Sequence, residues 1–210
     1  MLRILIADDH PVVRRGLKQI VAETSDMVIT GEASNGAEVL NKVWGNDYDV
    51  VLLDISMPDK SGMDILAELK CMKPNLPILV LSIHPEEQYA MRMLRAGASG
   101  YLTKEMAPPE LIKAIRKVSQ GGKYVSSSLA ERFVIDLEIG TEKLPHETLS
   151  NREYQVMCMI TSGKAAREIA KELSLSVKTV STHRSHILKK MNMRNNTELI
   201  RYAIQNHLLV

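Results

Sequence analysis

Four apolar residues, Val50-Val51-Leu52-Leu53, run without a polar break into a carboxylate, Asp54. A run that does not alternate reads as a strand buried on both faces, the pattern of the middle of a parallel sheet. Strands of that kind need helical crossovers, so this stretch commits its part of the chain to an α/β architecture. Asp54 then falls at the carboxyl end of the strand, where open α/β sheets place their ligand sites. Pro58 ends the extended segment and Lys60-Ser61-Gly62 reads as a turn. A carboxylate in such a place is either a structural loop cap or a functional group, and the rest of the chain decides between them.

The neighbouring segments repeat the pattern. Strands are predicted at Arg3 to Ala7, Val28 to Ala33, Ile78 to Leu81 and Ala98 to Leu102, around the central run. Helices are predicted from Pro11, with Val12, Val13, Leu17, Ile20 and Val21 as its stripe, then over Ala37 to Trp44, Met63 to Met72, Glu86 to Ala96 and Pro108 to Val118. Five strands alternating with five helices call for a parallel sheet covered on both faces. The order that suits this length is the flavodoxin-like one, 2-1-3-4-5. Ser126-Ser127-Ser128 could cap a short helix, Leu129 to Leu137, and Glu138 to Glu147, with Gly140 and Pro145, reads as an exposed linker.

Beyond the linker the pattern is all helical. Ser150 precedes Glu153 by three residues, the capping-box spacing, and Val156, Met157, Met159 and Ile160 give that helix its stripe up to Gly163. Ala165 to Leu173 is a second short helix, Ser174-Leu175-Ser176 a tight turn, Val177 to Met191 a third helix and Thr197 to Gln205 a fourth. Two short helices joined by a tight turn fit a helix-turn-helix. The expected organisation is therefore an α/β domain over 1–121, a linker with a short helix over 122–147, and a small all-α helix-turn-helix domain over 148–210.

Charge separates these parts. Residues 1–121 carry 14 basic and 16 acidic residues, whereas 148–210 carry 10 and 4. A basic C-terminal third suggests a segment that meets a polyanion, although a solvated basic face would look the same. Cys71 and Cys158 stand far apart without metal-ligand spacing, which argues against a disulfide scaffold and for a reducing compartment. The apolar start of the chain stops at Asp8-Asp9, too soon for a signal peptide, and no stretch reaches membrane-spanning length. The expectation is a soluble cytoplasmic protein with no membrane partner.

In the expected sheet, Asp8 and Asp9 follow strand one, Asp54 strand three and Ser82 strand four, and Lys104 lies just past strand five. All these strand ends share one edge, so the groups converge. Three ionised carboxylates cannot sit together without a counter-charge, and Mg2+, which takes hard oxygen ligands, is the natural answer. Lys104 adds a cation able to hold a phosphoryl oxygen, and an Asp beside a metal and a Lys is a plausible nucleophile towards a phosphoryl group.

This constellation resembles the receiver domain of two-component response regulators, with Asp8-Asp9, Asp54, Ser82, Tyr101 and Lys104 at that family's acidic pair, phosphoacceptor, switch hydroxyl, switch aromatic and lysine. The resemblance implies that Asp54 takes a phosphoryl group from the phosphohistidine of a sensor histidine kinase. It also implies a cofactor, Mg2+, held by Asp9, Asp54 and the backbone carbonyl of Ser56, with Asp8 helping through water. Ser82 would swing towards the phosphoryl oxygens and Tyr101 would turn inward behind it. Two positions depart from the common pattern. Ile83 stands where receivers often have a small residue and is expected to narrow access for small phosphodonors. Glu105, rather than proline, follows Lys104.

Within Val177 to Met191, Val180, Arg184, Ile187 and Met191 share a narrow arc with Leu188 at its edge. Lys178, Thr182, Ser185 and Lys189 lie opposite, flanked by Ser181 and Asn192. Short polar side chains let a helix approach base edges, and lysines suit phosphates. A merely solvated face would carry acids, and this helix has none. His183 and His186, three apart with no Cys or acid beside them, make a poor metal site. Arg184, on the inward arc, could reach a phosphate or a partner helix.

Leu149-Ser150-Asn151-Arg152-Glu153, Glu168-Ile169-Ala170, Val177-Lys178-Thr179-Val180, His183 and Leu188-Lys189-Lys190-Met191 resemble the LuxR-type helix-turn-helix of the NarL/FixJ class of response regulators. The run Met157 to Gly163 is similar to the GacA/UvrY subgroup. The resemblance implies DNA contacts from Lys178, Thr179, Ser181, Thr182, Ser185 and Lys189, double-stranded promoter DNA as ligand, and RNA polymerase as a further partner. It also implies a homodimer favoured by phosphorylation, with Glu86 to Val118 and Thr197 to Gln205 as candidate surfaces. Two rival readings stay open. One is an Mg2+-dependent phosphohydrolase, against which Ser56 stands where a second acid would be needed. The other is a regulator whose helical domain docks on protein rather than DNA.

Overall fold

The computed structural model describes residues 1–57, 60–127, 129–131, 144–206 and 208. Pro58 and most of the short helix and linker expected over 129–147 lie outside them. The chain divides into two compact units, Met1–Ala130 and Glu131–Val210.

The first unit has five strands: β1 (Leu2–Ala7), β2 (Met27–Ala33), β3 (Val50–Asp54), β4 (Ile78–Ser82) and β5 (Gly100–Thr103). They form one parallel sheet in the order β2-β1-β3-β4-β5. The helices between and after them are α1 (Pro11–Ala22), α2 (Gly36–Gly45), α3 (Gly62–Met72), α4 (Glu86–Arg95) and α5 (Pro108–Ser119). Every residue of β3 and β4 is buried, as unalternating runs require when helices cover both faces. One core cluster joins Ile4, Ile6, Leu52, Leu79 and Leu81 of the sheet to Leu17 and Val21 of α1 and to Leu111, Ile115 and Val118 of α5. Side chains and prolines place the helix starts. Asn35 accepts the Glu38 N–H and Ser61 the Met63 N–H, while Pro11 and Pro108 open α1 and α5 without a donor to satisfy.

Strand five begins at Gly100, two residues later than the sequence suggests. The Ala98 N–H closes the end of α4 on the Met93 carbonyl, and Gly97 turns the chain at φ +104°. Packing in this unit also continues past Gly121. The Tyr124 N–H donates to the Ser99 carbonyl, and the Tyr101 N–H donates to the Tyr124 carbonyl, a parallel bridge on the open edge of β5. Lys123 Nζ donates to the Ala98 carbonyl at 2.6 Å, and Ser126 Oγ to Glu86 Oε1 at 2.5 Å. A Cβ at residue 100 would stand 2.6 Å from the Tyr124 oxygen, so the bridge needs glycine there. Ser126, of the three serines expected as caps, accepts the Leu129 N–H.

In the second unit a 3-10 turn, Pro145–Thr148, stands in the expected linker and precedes α6 (Asn151–Thr161), α7 (Ala166–Glu172), α8 (Val177–Lys190) and α9 (Asn196–Gln205). Val156, Met157, Ile169, Val180, Ile187, Leu199 and Ala203 form its interior. Both halves of the capping box at Ser150 and Glu153 are made.

Candidate functional site

The sheet register assembles the first site. Ala7 pairs with Leu53 and Asp54 with Leu81, so Asp8 leaves β1 beside the end of β3, and Ser82 pairs with Thr103 one residue before Lys104. Asp8 and Asp54 are each 1% exposed. Lys104 Nζ lies 2.7 Å from Asp8 Oδ2 and 2.7 Å from Asp54 Oδ2. Lys104 reaches them without a following proline because its own N–H donates to the Ser82 carbonyl at 2.7 Å, tying the loop after β5 to the end of β4. The other Asp54 oxygen accepts the Ser56 N–H at 2.9 Å.

Burial pushes the Asp54 carboxyl above the ordinary carboxylate range, against the pull of the Lys104 ammonium and the Ser56 N–H, and the charge of Asp8 adds to the push. Burial alone would lower Lys104, but its contacts with Asp54 and Asp8 hold it above its ordinary value. One ammonium therefore does not fully compensate these carboxylates. Asp8 Oδ2 and Asp9 Oδ1 are buried and accept no hydrogen bond; the contact of Asp8 with Lys104 is ionic only. One donor atom each of Asp8, Asp9, His10 and Asp54 lies within 4.8 Å of the others. Hard, anionic and under-satisfied oxygens are what a divalent cation takes, so the residues fit one.

Ser82 is fully buried, and its Oγ accepts the His84 N–H at 2.9 Å. The Tyr101 ring is buried, and its hydroxyl donates to the His84 carbonyl at 2.8 Å. Burial raises the phenol well above its ordinary value. The ring expected to turn inward thus already lies inside in this structure. Ile83 is 66% exposed, at the rim beside Ser82. Two contributors were not foreseen from the sequence. The His84 backbone links Ser82 to Tyr101, and the His10 ring stands against Asp9. The only sequence signal for either was its place in the loop that follows a strand end.

In the second unit, α7, a turn and α8 follow each other as the helix-turn-helix pattern requires. The turn is held by Ser174 at φ +53°, by the Leu175 N–H on the Ala170 carbonyl, and by the Arg152 guanidinium on the Leu173 carbonyl at 2.6 Å. Ser176 caps α8 through the Thr179 N–H. Lys178, Ser181, Thr182, Ser185 and Lys189 are exposed on one side of α8 and Thr179 is half-buried, while Val180 and Ile187 are buried. Ser181, Thr182 and Ser185 each donate a hydroxyl to the carbonyl four residues back, at 3.0, 3.0 and 3.1 Å. Their hydrogens are occupied, so the face presents acceptor lone pairs between two lysines. Of the two partners considered for Arg184, the structure provides the helix. Arg184 Nε donates to Asn196 Oδ1 on α9 at 2.7 Å.

The sequence marks Glu153, 4% exposed, only as a cap. Glu153 also accepts Lys190 Nζ at 2.6 Å and so clamps the end of α8 to the start of α6. Burial works against its charge, but Lys190 and the Ser150 groups hold its carboxyl below the ordinary range. A lowered carboxyl stabilises the fold above the unfolded value of about 4.3 and loses that contribution as pH falls through the folded value. Glu153→Gln is therefore expected to cost this unit about 1–2 kcal/mol at pH 7, with the gap narrowing as pH falls below the unfolded value; urea denaturation of both proteins at neutral and acid pH measures it.

Residues 4–116 match the response regulator receiver domain, and residues 147–203 match the luxR family of bacterial regulatory proteins. The chain belongs to the response regulators of the NarL/FixJ class. The match is end to end. Response regulator UvrY of Escherichia coli K12 is 36% identical over 210 residues, 99% of this chain and 96% of its own. RcsB from Salmonella enterica serovar Typhimurium, solved bound to promoter rprA in the presence of the phosphomimetic BeF3-, is 26% identical, covers 96% of this chain and 97% of its own, and superposes with a TM-score of 0.63. A second structure, of two RcsB dimers bound to two parallel DNAs, is 27% identical over 96% of each chain with a TM-score of 0.59. The response regulator described here thus joins a receiver to a LuxR-type DNA-binding domain. Its relatives are regulators rather than classical enzymes, and no helix among its described residues is long and apolar enough to cross a membrane.

Proposed function

We propose that this response regulator accepts a phosphoryl group on Asp54 from the phosphohistidine of a sensor histidine kinase, and that the phosphorylated receiver switches binding of promoter DNA through α8. The observation that carries this reading is the meeting of Asp8, Asp54 and Lys104 on one sheet edge, each carboxylate 2.7 Å from the ammonium. An Asp54 oxygen attacks phosphorus, the phosphorus–nitrogen bond to the donor histidine breaks, and that nitrogen keeps the electron pair. Lys104 neutralises a phosphoryl oxygen as charge develops. Mg2+, held by Asp9, Asp54 and the Ser56 carbonyl with Asp8 acting through water, would supply charge neutralisation and in-line alignment. Ser82 and Tyr101, joined through His84, would report the new charge to the β5 side of the sheet.

The protein is not an enzyme in this reading beyond slow loss of its own phosphoryl group, and it works in the cytoplasm. The receiver spans 1–121 with the segment through Ser126 packed on it, the linker continues to 147, and the DNA-binding domain spans 148–210. Lys178, Thr179, Ser181, Thr182, Ser185 and Lys189 form the DNA face. The acceptor-rich hydroxyls between Lys178 and Lys189 favour duplex DNA over a protein partner. The RcsB dimers on DNA support a homodimer here, which phosphorylation favours in this reading and which reads half-sites about 10 base pairs apart or a multiple. RNA polymerase would be met at the promoter. Footprinting of phosphorylated and unphosphorylated protein on genomic DNA tests the switch, and identical footprints would refute it. Lys178→Ala or Lys189→Ala is expected to weaken binding to all sequences alike and to lower the salt slope by about one; titration at several salt concentrations measures it.

A further inference from the structure

His10 is the N-cap of α1, and its own N–H donates to Asp8 Oδ1 at 2.8 Å. That bond folds the His10 ring back over the acidic pair. Ring Nδ1 comes to 2.7 Å from Asp9 Oδ1 and 3.4 Å from Asp8 Oδ1. The first of these contacts is short, yet Asp9 Oδ1 accepts no hydrogen bond. Nitrogen and oxygen therefore stand side by side, and the ring N–H does not aim at the carboxylate. The buried Asp8 Oδ2 likewise accepts none. Around a divalent ion with bonds of about 2.1 Å, neighbouring octahedral donors are about 3 Å apart, close to the 2.7 Å between His10 Nδ1 and Asp9 Oδ1.

We propose that His10 is a nitrogen donor of the cation site, and that it tilts the site's preference from Mg2+ towards borderline first-row ions such as Ni2+, Co2+ and Zn2+. Carboxylate and carbonyl oxygens suit Mg2+, whereas an imidazole adds little for that ion and much for the later metals. The ring is 62% exposed, so it sits at the solvent rim, where it can close on an ion already held by Asp9. This inference rests on the reading of Asp8, Asp9 and Asp54 as the cation site, and it adds a residue that sets which ion is taken.

Calorimetric titration of the full-length protein with Mg2+ and, separately, Ni2+ tests it. Wild type, His10→Ala and Asp9→Asn are compared, with circular dichroism to verify folding. The expected result is that His10→Ala loses tenfold or more in Ni2+ affinity and less than about twofold in Mg2+ affinity, while Asp9→Asn loses both. Equal losses of Ni2+ and Mg2+ in His10→Ala would make His10 only a support for Asp9 and overturn the proposal. Unchanged Ni2+ affinity in His10→Ala would overturn it too. Mg2+ binding indifferent to Asp9→Asn would instead strike at the cation-site reading itself.

Discussion

Asp54→Asn is expected to take up no phosphoryl group, from a kinase or from a small donor, and to lose phosphate-stimulated DNA binding with it. Amide oxygen is a poor nucleophile, and Asp54, 1% exposed at the end of β3 with Lys104 2.7 Å away, is the carboxylate that attacks in the proposed reaction. The effect is of the all-or-none kind. A phosphate-affinity gel measures uptake, and a mobility shift of duplex DNA measures the output. Uptake that persisted would place the acceptor elsewhere. Basal DNA binding should survive, because the groups of α8 belong to the other unit.

Lys104→Ala is expected to have the largest effect on stability. It removes the ammonium shared by two carboxylates that are themselves almost wholly buried. Taking one partner from a buried ion pair leaves an uncompensated charge and costs about 3 kcal/mol. The cost should grow with pH. Burial already holds Asp54 above its ordinary value, and loss of the lysine raises it further. An acid raised in the folded state keeps its proton there longer than in the unfolded chain, so stability falls as pH rises towards the folded value. The deficit is therefore smaller at pH 5 than at pH 8, and Mg2+ should recover part of it by binding the folded form alone. Hydrogen exchange of the β1 and β3 amides, with and without Mg2+, reads both effects. A variant as stable as wild type at pH 8 would contradict the uncompensated-charge account.

The fold was legible wherever a local pattern carried it. Runs such as Val50 to Leu53 and Ile78 to Leu81 mark strands buried on both faces, and the parallel sheet follows from five strands separated by helices, with the order that suits such a length. Asp8, Asp54, Ser82 and Lys104 were legible for the same reason, since each closes or follows a strand and the sheet carries the ends to one edge. Contacts made by tertiary docking alone were not. Glu153 meets Lys190 across 37 residues, and no periodicity announces it. The Tyr124 bridge hides in a stretch that reads as the start of a linker, because β5 is short and its partner is a single residue. His10 looked like the end of a strand because ring direction depends on the N-cap backbone, at φ −88° and ψ 111°, which composition does not reveal.

The Tyr124 bridge bears on how the edge of the sheet is protected. An outermost strand with free amides is adhesive towards other chains, and nature usually blunts it with charge or a bulge. Here the polypeptide shields its own flank, with Lys123 and Ser126 fastening the cover on either side of Tyr124. Trimming the protein at Gly121 would strip that flank bare, so a fragment meant to behave as an isolated receiver must extend at least to Ser126.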